Sequence, residues 1–336
     1  MLTLDLRQCY GSFSLHSPDV RRVLTNSLAH LAGVIPPMFT PFCDDDRIDA
    51  AALMAEARFL QESGVSGIVV GGSMGEGAGL SEAELAEAVR LVIEAVAGEI
   101  PVLAAVIADS SAEAIRLAKA VRNAGAVGLQ VPPPHFRLAA ETRVLGAYYR
   151  AITDGSTLPL IIYNVMPTAE AAVESLEELM VANPAIVGVK QSARNMHTLA
   201  ALLATMRGRV KLFSAIDDMI YPSFVLGVDG TISGTSAVFP KESVELLEAV
   251  QAGDNVRALN FHERIAPVWR AIDHPDFPAR AKYAVALSGR PIGKPRRPFQ
   301  WPTGDAARSI EQAMAAGGFL AASPATATHQ ARAIAR

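Results

Sequence analysis

The sequence predicts an α/β protein, a (β/α)8 TIM barrel followed by a C-terminal helical appendage, and three observations support this prediction. Short apolar runs alternate with longer stretches of helical periodicity from Gly33 to about residue 250, without a linker-like break. The short runs are apolar throughout, which is typical of parallel strands buried on both faces. Eight such strand–helix units follow one another, and this number favours a closed barrel over a doubly wound sheet.

The elements of the predicted barrel follow in chain order. The strands are Val34–Phe39, Gly67–Gly71, Val102–Ile107, Val127–Val131, Leu160–Asn164, Ile186–Lys190, Val210–Ser214 and Gly230–Ser233. The helices that follow them in turn are Ala50–Glu62, Glu82–Ala97, Ala112–Ala124, Glu141–Ile152, Val173–Ala182, Met196–Met206, Met219–Leu226 and Lys241–Gln251. Two pairs have the spacing of a capping box, which places a helix start just after the serine: Ser81 with Glu84, and Ser110 with Glu113.

Beyond the last unit, the chain has helical patterns interrupted by glycine and proline. These patterns cover Asn255–Ile272, Ala279–Leu287 and Asp305–Ala315, and we expect them to form helices packed on the barrel. The chain then divides into an N-terminal extension (1–30), the barrel (31–252), the C-terminal helices (253–320) and a flexible tail (321–336).

Composition excludes several classes of partner. The 30 Lys and Arg residues against 34 Asp and Glu give a formal net charge of −4, and half of the 336 residues are hydrophobic, so neither nucleic acid binding nor disorder is expected. No apolar stretch approaches the roughly 18 residues of a membrane span, so no membrane partner is expected. Cys9 and Cys43 form no disulfide framework, and the N-terminus has no apolar signal core, which together predict a cytoplasmic protein.

In a barrel of this kind, functional residues lie at the C-terminal ends of the strands, and the second strand is followed by a glycine-rich turn. The turn reads Gly71-Gly72-Ser73-Met74-Gly75-Glu76-Gly77. Its glycines allow backbone N–H groups to approach an anion such as a carboxylate or phosphate, although the turn is also explained as a tight connection to the next helix. No Walker lysine follows it, which excludes a nucleotide P-loop.

The same turn also matches the nucleophile elbow of a serine hydrolase around Ser73. Asp217, with His262 or His274, would complete the required chain order of the triad. An elbow leads from the serine directly into a helix, whereas here the helix signal waits until Ser81. The local pattern therefore disfavours a hydrolase.

Two neighbouring strands each end in a side chain suited to chemistry. The fifth strand ends in Tyr163-Asn164 and the sixth in Lys190-Gln191. A lysine at the end of an apolar barrel strand points into the barrel mouth, where desolvation lowers its pKa and frees the amine as a nucleophile; the alternative is a lysine that reaches solvent. The nearby tyrosine favours the first reading, because carbinolamine formation and dehydration need a group that transfers protons. The pair predicts Schiff-base chemistry.

Together these motifs resemble those of the dihydrodipicolinate synthase and N-acetylneuraminate lyase family of pyruvate-dependent class I aldolases. The resemblance covers roughly residues 31–320 and rests on five segments in this order: Ile35-Pro36-Pro37-Met38-Phe39-Thr40-Pro41-Phe42, Gly72-Ser73-Met74-Gly75-Glu76, Tyr163-Asn164-Val165, Gly188-Val189-Lys190-Gln191 and Gly230-Thr231-Ile232-Ser233. It implies a (β/α)8 barrel with C-terminal helices, commonly assembled as a homotetramer. It also implies that Lys190 forms an imine with pyruvate or another 2-oxo acid, without any further cofactor, and that Tyr163 is the acid/base.

The resemblance also implies where the keto acid binds. The backbone N–H groups of Gly72, Ser73 and Met74, with the Ser73 hydroxyl, would hold its carboxylate. Ile232 matches a position whose backbone lies near the bound keto acid. Asp217 follows the seventh strand and is expected to face the barrel mouth, where a sugar hydroxyl or water would be its contact.

The chain departs from the family pattern at three places. Met74 stands where a threonine often links the catalytic tyrosine to a second tyrosine from a neighbouring subunit, and His135 matches the position of that second tyrosine. Dihydrodipicolinate synthases usually have an arginine after the catalytic tyrosine for the distal carboxylate of their second substrate. Here that segment contains Thr168 and Glu170 and no arginine. We therefore expect Thr168 to hydrogen-bond a neutral partner and Glu170 to repel an anionic one.

We conclude that the sequence encodes an enzyme, a Schiff-base lyase or aldolase acting on a 2-oxo acid and an aldehyde-type partner, and not a lysine-biosynthesis enzyme. A 2-oxo acid dehydratase or deaminase on the same lysine, a catalytically weak keto-acid-binding homologue and the serine hydrolase remain as alternatives. No metal site is predicted: Asp44-Asp45-Asp46 lacks further ligands at suitable spacing and reads as a solvated loop.

Overall fold

A computed structural model describes Leu28 and residues 30–134, 141–165 and 170–321. It contains eight parallel strands with helices between them, as the sequence predicts. The strands are β1 Gly33–Val34, β2 Ile68–Val70, β3 Val102–Ala105, β4 Gly128–Val131, β5 Leu160–Asn164, β6 Ile186–Gln191, β7 Lys211–Ser214 and β8 Gly230–Thr231. Each strand from β2 to β8 pairs with the next, and β8 pairs with β1.

The barrel closes between β1 and β2. Pro37 bridges to Val69, the Val69 N–H donates to the Pro36 carbonyl at 2.9 Å, and the Met38 N–H donates to the Val69 carbonyl at 3.0 Å. These bonds join the two ends of the sheet, so the (β/α)8 barrel of the sequence prediction is confirmed.

Twelve α-helices lie within the described residues. The helices of the barrel are α1 Ala50–Glu62, α2 Glu82–Ala95, α3 Ser111–Asn123, α4 Thr142–Ser156, α5 Val173–Ala182, α6 Met196–Met206, α7 Ile220–Leu226, α8 Gly234–Val238 and α9 Pro240–Gln251. The C-terminal helices are α10 Asn255–Ile272, α11 Phe277–Leu287 and α12 Gly304–Gly317. Short 3-10 turns at Gly77–Gly79 and Asp217–Met219 lie after β2 and β7. No helix in the described part of the chain has the length and apolar character to cross a bilayer.

The capping-box predictions place two helix starts correctly. At α2, the Ser81 N–H donates to Glu84 Oε2 at 2.9 Å, and the Glu84 N–H donates to Ser81 Oγ at 3.3 Å. At α3, the Glu113 N–H donates to Ser110 Oγ at 3.3 Å, and the helix begins at Ser111 as expected.

Two packed layers support the site. Inside the barrel, a small apolar cluster includes Ile35, Leu103, Ile161 and Phe213, while a larger cluster packs between the strands and the surrounding helices. Leu28, which the sequence places in the N-terminal extension, is 1% exposed and belongs to the interior cluster. The interior of the barrel is therefore filled with side chains, and the open space for chemistry lies at the C-terminal ends of the strands.

The basic stretch after α11 attaches the C-terminal region to the barrel. Arg290 pairs with Glu56 of α1, and Arg296 pairs with Glu84 of α2. The predicted acidic loop takes part in the same attachment: Asp44 pairs with Lys294 at 2.7 Å, and Asp46 pairs with Arg297. Each of these charges thus has a counter-charge in the fold.

Candidate active site

Lys190 and Tyr163 lie side by side at the mouth of the barrel. They are register partners on β6 and β5, and the Lys190 Nζ atom lies 3.7 Å from the centroid of the Tyr163 ring. Only 3% of Lys190 and 6% of Tyr163 are exposed. The two side chains that the sequence predicts to act together are therefore in contact and largely shielded from water.

Burial changes the pKa of both groups in a way that suits imine chemistry. Desolvation lowers the pKa of Lys190 to about 7, although the nearby Asp217 carboxylate opposes this change. Desolvation raises the pKa of Tyr163 to about 12, against the opposing effect of the Ser73 hydroxyl. Near neutral pH a large fraction of the lysine is therefore a free amine, while the tyrosine keeps its proton.

The glycine-rich turn after β2 brings Ser73 to the tyrosine. Ser73 Oγ lies 3.3 Å from Tyr163 Oη, at hydrogen-bonding distance. The Gly72 carbonyl accepts from the N–H groups of Gly75 and Gly77, both at 3.0 Å, which folds the turn back on itself. A side chain at Gly77 is impossible, because its Cβ would lie 1.6 Å from the Gly71 carbonyl oxygen. The glycines are thus required by this tight turn.

Asp217 also faces the site, as predicted, from the 3-10 turn after β7. Its Oδ1 accepts from the Thr235 N–H at 2.7 Å, which fixes the carboxyl orientation. Burial raises the pKa of Asp217 to about 7, while the Thr235 N–H and the charge of Lys190 lower it. Asp217 is therefore a carboxyl group that can hold or release a proton near neutral pH.

These groups line one cavity of about 460 Å³. Its wall includes Ser73, Met74, Tyr163, Lys190, Asp217 and Ile232, all of them singled out from the sequence. Gly72 is buried next to Pro37, which lines the cavity: a Cβ added to Gly72 would lie 3.4 Å from the Pro37 Cβ. His135 and Thr168 lie outside the described residues.

The wall of the cavity is rich in acidic side chains. Besides Asp217, its wall carries the carboxyl groups of Glu170, Asp218 and Asp273, against a single arginine, Arg194. Arg194 is paired with Asp273, so its charge is already matched within the protein. Among the described residues of this wall, no unpaired arginine is left to bind a second anionic group.

Glu170 is held in place by a chain of side-chain amides. Gln191 Nε2 donates to Glu170 Oε1 at 3.1 Å, and Asn164 Nδ2 donates to Gln191 Oε1 at 3.0 Å. Asn164 and Gln191 directly follow Tyr163 and Lys190 on their strands. The residues that follow the two reacting groups, Asn164 and Gln191, thus orient Glu170 in the cavity wall. This role was not predicted from the sequence.

Sequence reasoning also missed the residues that come from outside the strand ends. Trp269 of α10 and Phe277 of α11 line the cavity, as do Ser192 and Asn195 after β6. Of these residues, only Ser192 could have been proposed from the sequence, because it follows Lys190 by two positions at the end of the strand. Trp269 and Phe277 belong to no local motif, and only the packing of the C-terminal helices brings them to the site.

The serine hydrolase alternative is not supported by this geometry. His262 lies on α10 against the ring of Tyr221, and His274 contacts Asp276. Neither histidine lines the cavity that contains Ser73.

The fold is a (β/α)8 barrel, and its mouth holds a buried lysine amine, an adjacent tyrosine and a glycine-rich turn that carries a serine. This combination defines a class I lyase, an enzyme that acts through a Schiff base. Comparison with known proteins agrees: residues 30–316 match the model of the dihydrodipicolinate synthetase family. The chain belongs to this family and is an enzyme of its lyase type.

Two curated relatives show the extent of the similarity. The 4-hydroxy-tetrahydrodipicolinate synthase of Methanococcoides burtonii is 31% identical over 270 residues, which are 80% of this chain and 91% of the relative. The enzyme of the same name from Methanosphaerula palustris is 32% identical over 271 residues, which are 80% of this chain and 92% of the relative.

Solved structures extend the similarity to the fold. Dihydrodipicolinate synthase from Cyanidioschyzon merolae, with lysine bound, has a TM-score of 0.81 at 29% identity, over 87% of this chain and 99% of that one. A prophage protein of the same family from E. coli K12, in complex with pyruvate, has a TM-score of 0.81 at 25% identity, over 86% of this chain and 99% of that one.

Proposed function

We propose that this protein is an aldolase or lyase in which Lys190 forms an imine with pyruvate or a closely related 2-oxo acid. The contact between a buried lysine amine and Tyr163, with Nζ 3.7 Å from the ring centroid, is the observation that carries the proposal. The prophage relative from E. coli K12, solved in complex with pyruvate, supports the choice of keto acid.

The reaction would begin at the carbonyl carbon of the keto acid. The neutral Lys190 amine attacks it, and the carbonyl oxygen takes the proton that the attacking nitrogen loses, which gives a carbinolamine. Tyr163 then protonates the hydroxyl as it leaves as water, because the phenol keeps its proton at neutral pH and lies beside the nitrogen. The protonated imine formed is an electron sink: the adjacent carbon gives a proton back to the Tyr163 phenolate, and the resulting enamine adds to an aldehyde. In the opposite direction, cleavage of the carbon–carbon bond leaves the same enamine.

Carboxylate binding would hold the keto acid in register with Lys190. The turn at Gly72, Ser73 and Met74 supplies backbone N–H groups next to the Ser73 hydroxyl, and Ser73 and Met74 line the same cavity as Lys190. Ile232, fully buried on the far side, would pack against the keto acid and keep that side dry. Binding of the charged group is thus separated from the carbon that reacts.

For the second substrate we propose a neutral or hydroxylated aldehyde. Among the described residues, the cavity wall carries several carboxyl groups and one arginine that is already paired, so a distal carboxylate would be placed among like charges. Hydroxyl groups, in contrast, can donate to the fixed carboxylate of Glu170. On this ground we propose that aspartate semialdehyde, an anion, is a poor substrate, although the curated relatives carry the name 4-hydroxy-tetrahydrodipicolinate synthase.

A second candidate is dehydration of a hydroxylated 2-oxo acid on the same imine. One observation favours it: the carboxyl of Asp217 has a pKa raised to about 7 and lies in the cavity with Lys190, so it can give a proton to a departing hydroxyl. The homotetramer implied by the resemblance and the cytoplasmic location expected from the cysteines and the N-terminus are also proposals, and light scattering after gel filtration would test the first.

The keto acid is tested by reductive trapping. A panel of 2-oxo acids is incubated with the protein and borohydride, and intact mass should show one reduced pyruvate adduct per chain. Labelling should be lost in Lys190→Ala and kept in Lys211→Ala, because Lys211 is paired with Asp229 at the opposite end of the neighbouring strand. Labelling that persists without Lys190 would refute the imine.

The second substrate is tested by comparing initial rates. Aspartate semialdehyde and several neutral or hydroxylated aldehydes are offered with pyruvate at equal concentration, and the neutral compounds should react faster. A clear preference for the semialdehyde would overturn the proposed substrate class and leave the imine proposal intact.

A further inference from the structure

Lys282 is a fully buried cation far in sequence from the strand-end motifs. It lies on α11 with 0% exposure. Its ammonium group has three donors, and all of them are used: Nζ donates to Glu76 Oε1 at 2.6 Å, to the Thr40 carbonyl at 2.7 Å and to the Lys294 carbonyl at 2.8 Å. A buried charge with every donor satisfied has one fixed position.

Glu76 is the carboxylate that this cation holds, and it ends the turn that begins at Gly72. Its second oxygen, Oε2, accepts from the Arg296 N–H at 2.8 Å, so both oxygens are bound by the C-terminal region. Its backbone is left-handed, with φ of 55°, a conformation that is unfavourable for a residue with a Cβ atom. The strained turn is therefore held by contacts from α11 and the segment after it.

The rest of the turn transmits this hold to Ser73. The Glu76 N–H donates to the Ser73 carbonyl at 3.2 Å, and the Gly77 N–H donates to the Gly72 carbonyl at 3.0 Å. Thr40, whose carbonyl receives Lys282, donates through Oγ1 to the Gly75 carbonyl at 2.8 Å. Lys282 is thus connected to the turn by two short routes of hydrogen bonds, one through Glu76 to Ser73 and one through Thr40 to Gly75.

A second buried ion pair in the same region provides a comparison. Arg290 pairs with Glu56, with side-chain exposures of 10% and 2%, and also donates to the carbonyls of Ala237 and Val238. This pair attaches the C-terminal region to the barrel just as Lys282 does, but it makes no contact with the turn. Loss of attachment alone can therefore be separated from loss of turn geometry.

We propose that Lys282 is a positioning residue for 2-oxo acid binding: through Glu76 it fixes the Gly72–Ser73–Met74 backbone in the shape that receives the substrate carboxylate. This inference rests on the proposed function. Without Lys282 the N–H groups of the turn lose their alignment, and a misaligned hydrogen bond to a charged group weakens binding by roughly ten-fold or more. Lys190 and Tyr163 are still positioned by their own strands, β6 and β5, so kcat changes much less than KM.

The test uses Lys282→Met and Glu76→Gln, with Arg290→Met as the control of matched burial. In each variant, the pyruvate concentration for half-maximal trapping by borohydride is measured together with KM and kcat. Acetone, a ketone without a carboxylate, is trapped in parallel. We expect both turn variants to need roughly ten-fold more pyruvate or above, with acetone trapping unchanged, and Arg290→Met to behave as wild type.

Other outcomes would overturn the inference. Unchanged pyruvate dependence in the turn variants, an equal change with acetone, or the same change in Arg290→Met would each show that Lys282 acts on stability alone. If Lys282→Met does not fold, Glu76→Gln decides: the amide preserves the packing volume, but it removes the charge that binds Lys282, and its NH2 group cannot accept from a donor as the second carboxylate oxygen does from the Arg296 N–H. Failure of the wild-type protein to label with pyruvate would instead refute the proposed function itself.

Discussion

The lowered pKa of Lys190 makes a quantitative prediction about the pH dependence of imine formation. A lysine with the ordinary pKa of 10.5 would be neutral in roughly one molecule in 3,000 at pH 7, whereas a pKa of about 7 leaves about half of the amines neutral. Burial therefore increases the reactive fraction by roughly a thousand-fold. We expect the rate of adduct formation to rise with pH through about 7 and to level off about one unit higher.

The assay is the rate of trapping by cyanoborohydride at saturating pyruvate, followed by intact mass from about pH 5.5 to about pH 10. Asp217→Asn separates the two groups that titrate in this range, since the asparagine oxygen can still accept from the Thr235 N–H. The Asp217 charge raises the pKa of Lys190, so its removal should lower that pKa further and shift the whole rise to lower pH. Trapping below pH 7 should then be faster in the variant than in the wild type.

Two results would refute this reasoning. A rise centred near pH 9 or above would show that Lys190 is not desolvated enough to free its amine. A rise that disappears in Asp217→Asn would assign the titration to the carboxyl group and leave the lysine without a measured pKa near neutrality.

Three further predictions address single side chains. Tyr163→Phe should lower turnover by roughly 100-fold or more while the far-ultraviolet circular dichroism is unchanged, and an unchanged rate would remove the phenol from the mechanism. Gly234→Ala should lower stability by about 1–3 kcal/mol in urea unfolding, because its Cβ would lie 2.3 Å from Trp269 Cη2; Gly79→Ala, where an added Cβ meets nothing within 4 Å, is the control and should show no such loss. Glu84→Gln should cost about 1 kcal/mol at pH 7, a modest value because the carboxylate is 33% exposed. Arg296 lowers the pKa of Glu84 from 4.5 to about 2, so this stability is present above pH 4.5. The difference in unfolding free energy between the wild type and Glu84→Gln should therefore vanish as the pH falls through about 2.

The elements of the barrel could be predicted closely where the pattern was long and had clear ends. Helices Ala50–Glu62, Val173–Ala182, Met196–Met206 and Asn255–Ile272 begin and end where the sequence predicts. The first strand is the clear difference: it was predicted to reach Phe39 and ends at Val34. Pro36 and Pro37 have no N–H to donate, so the segment continues along the sheet with single hydrogen bonds but not as a regular ladder. The short helix α8 was missed because five residues give no readable period.

The reacting half of the site could be predicted because strand order fixes it. Lys190 and Tyr163 end adjacent parallel strands, and that topology alone places them together. The other half could not be predicted from local pattern. Trp269, Phe277 and Lys282 come from helices whose own periodicity is explained by packing, and nothing in that periodicity says which residues will face the barrel mouth. The residues that carry the family resemblance lie in the first half, which is why the family could be recognised from the sequence while the second substrate could not.

Met74 shows how the two halves meet. A Cβ on Gly234, at the start of α8, would lie 3.1 Å from Met74 Sδ and 2.3 Å from Trp269 Cη2, so the turn, α8 and α10 pack against one another at the cavity wall. Packing thus makes this position apolar, and the Tyr163 hydroxyl lies 3.3 Å from Ser73 Oγ, one position earlier in the turn. A methionine carries no exchangeable proton. The proton that Tyr163 gives up when the carbinolamine loses water therefore does not return through Met74; in the proposed reaction, the substrate proton released when the enamine forms restores the phenol, and Ser73 is left to bind the carboxylate.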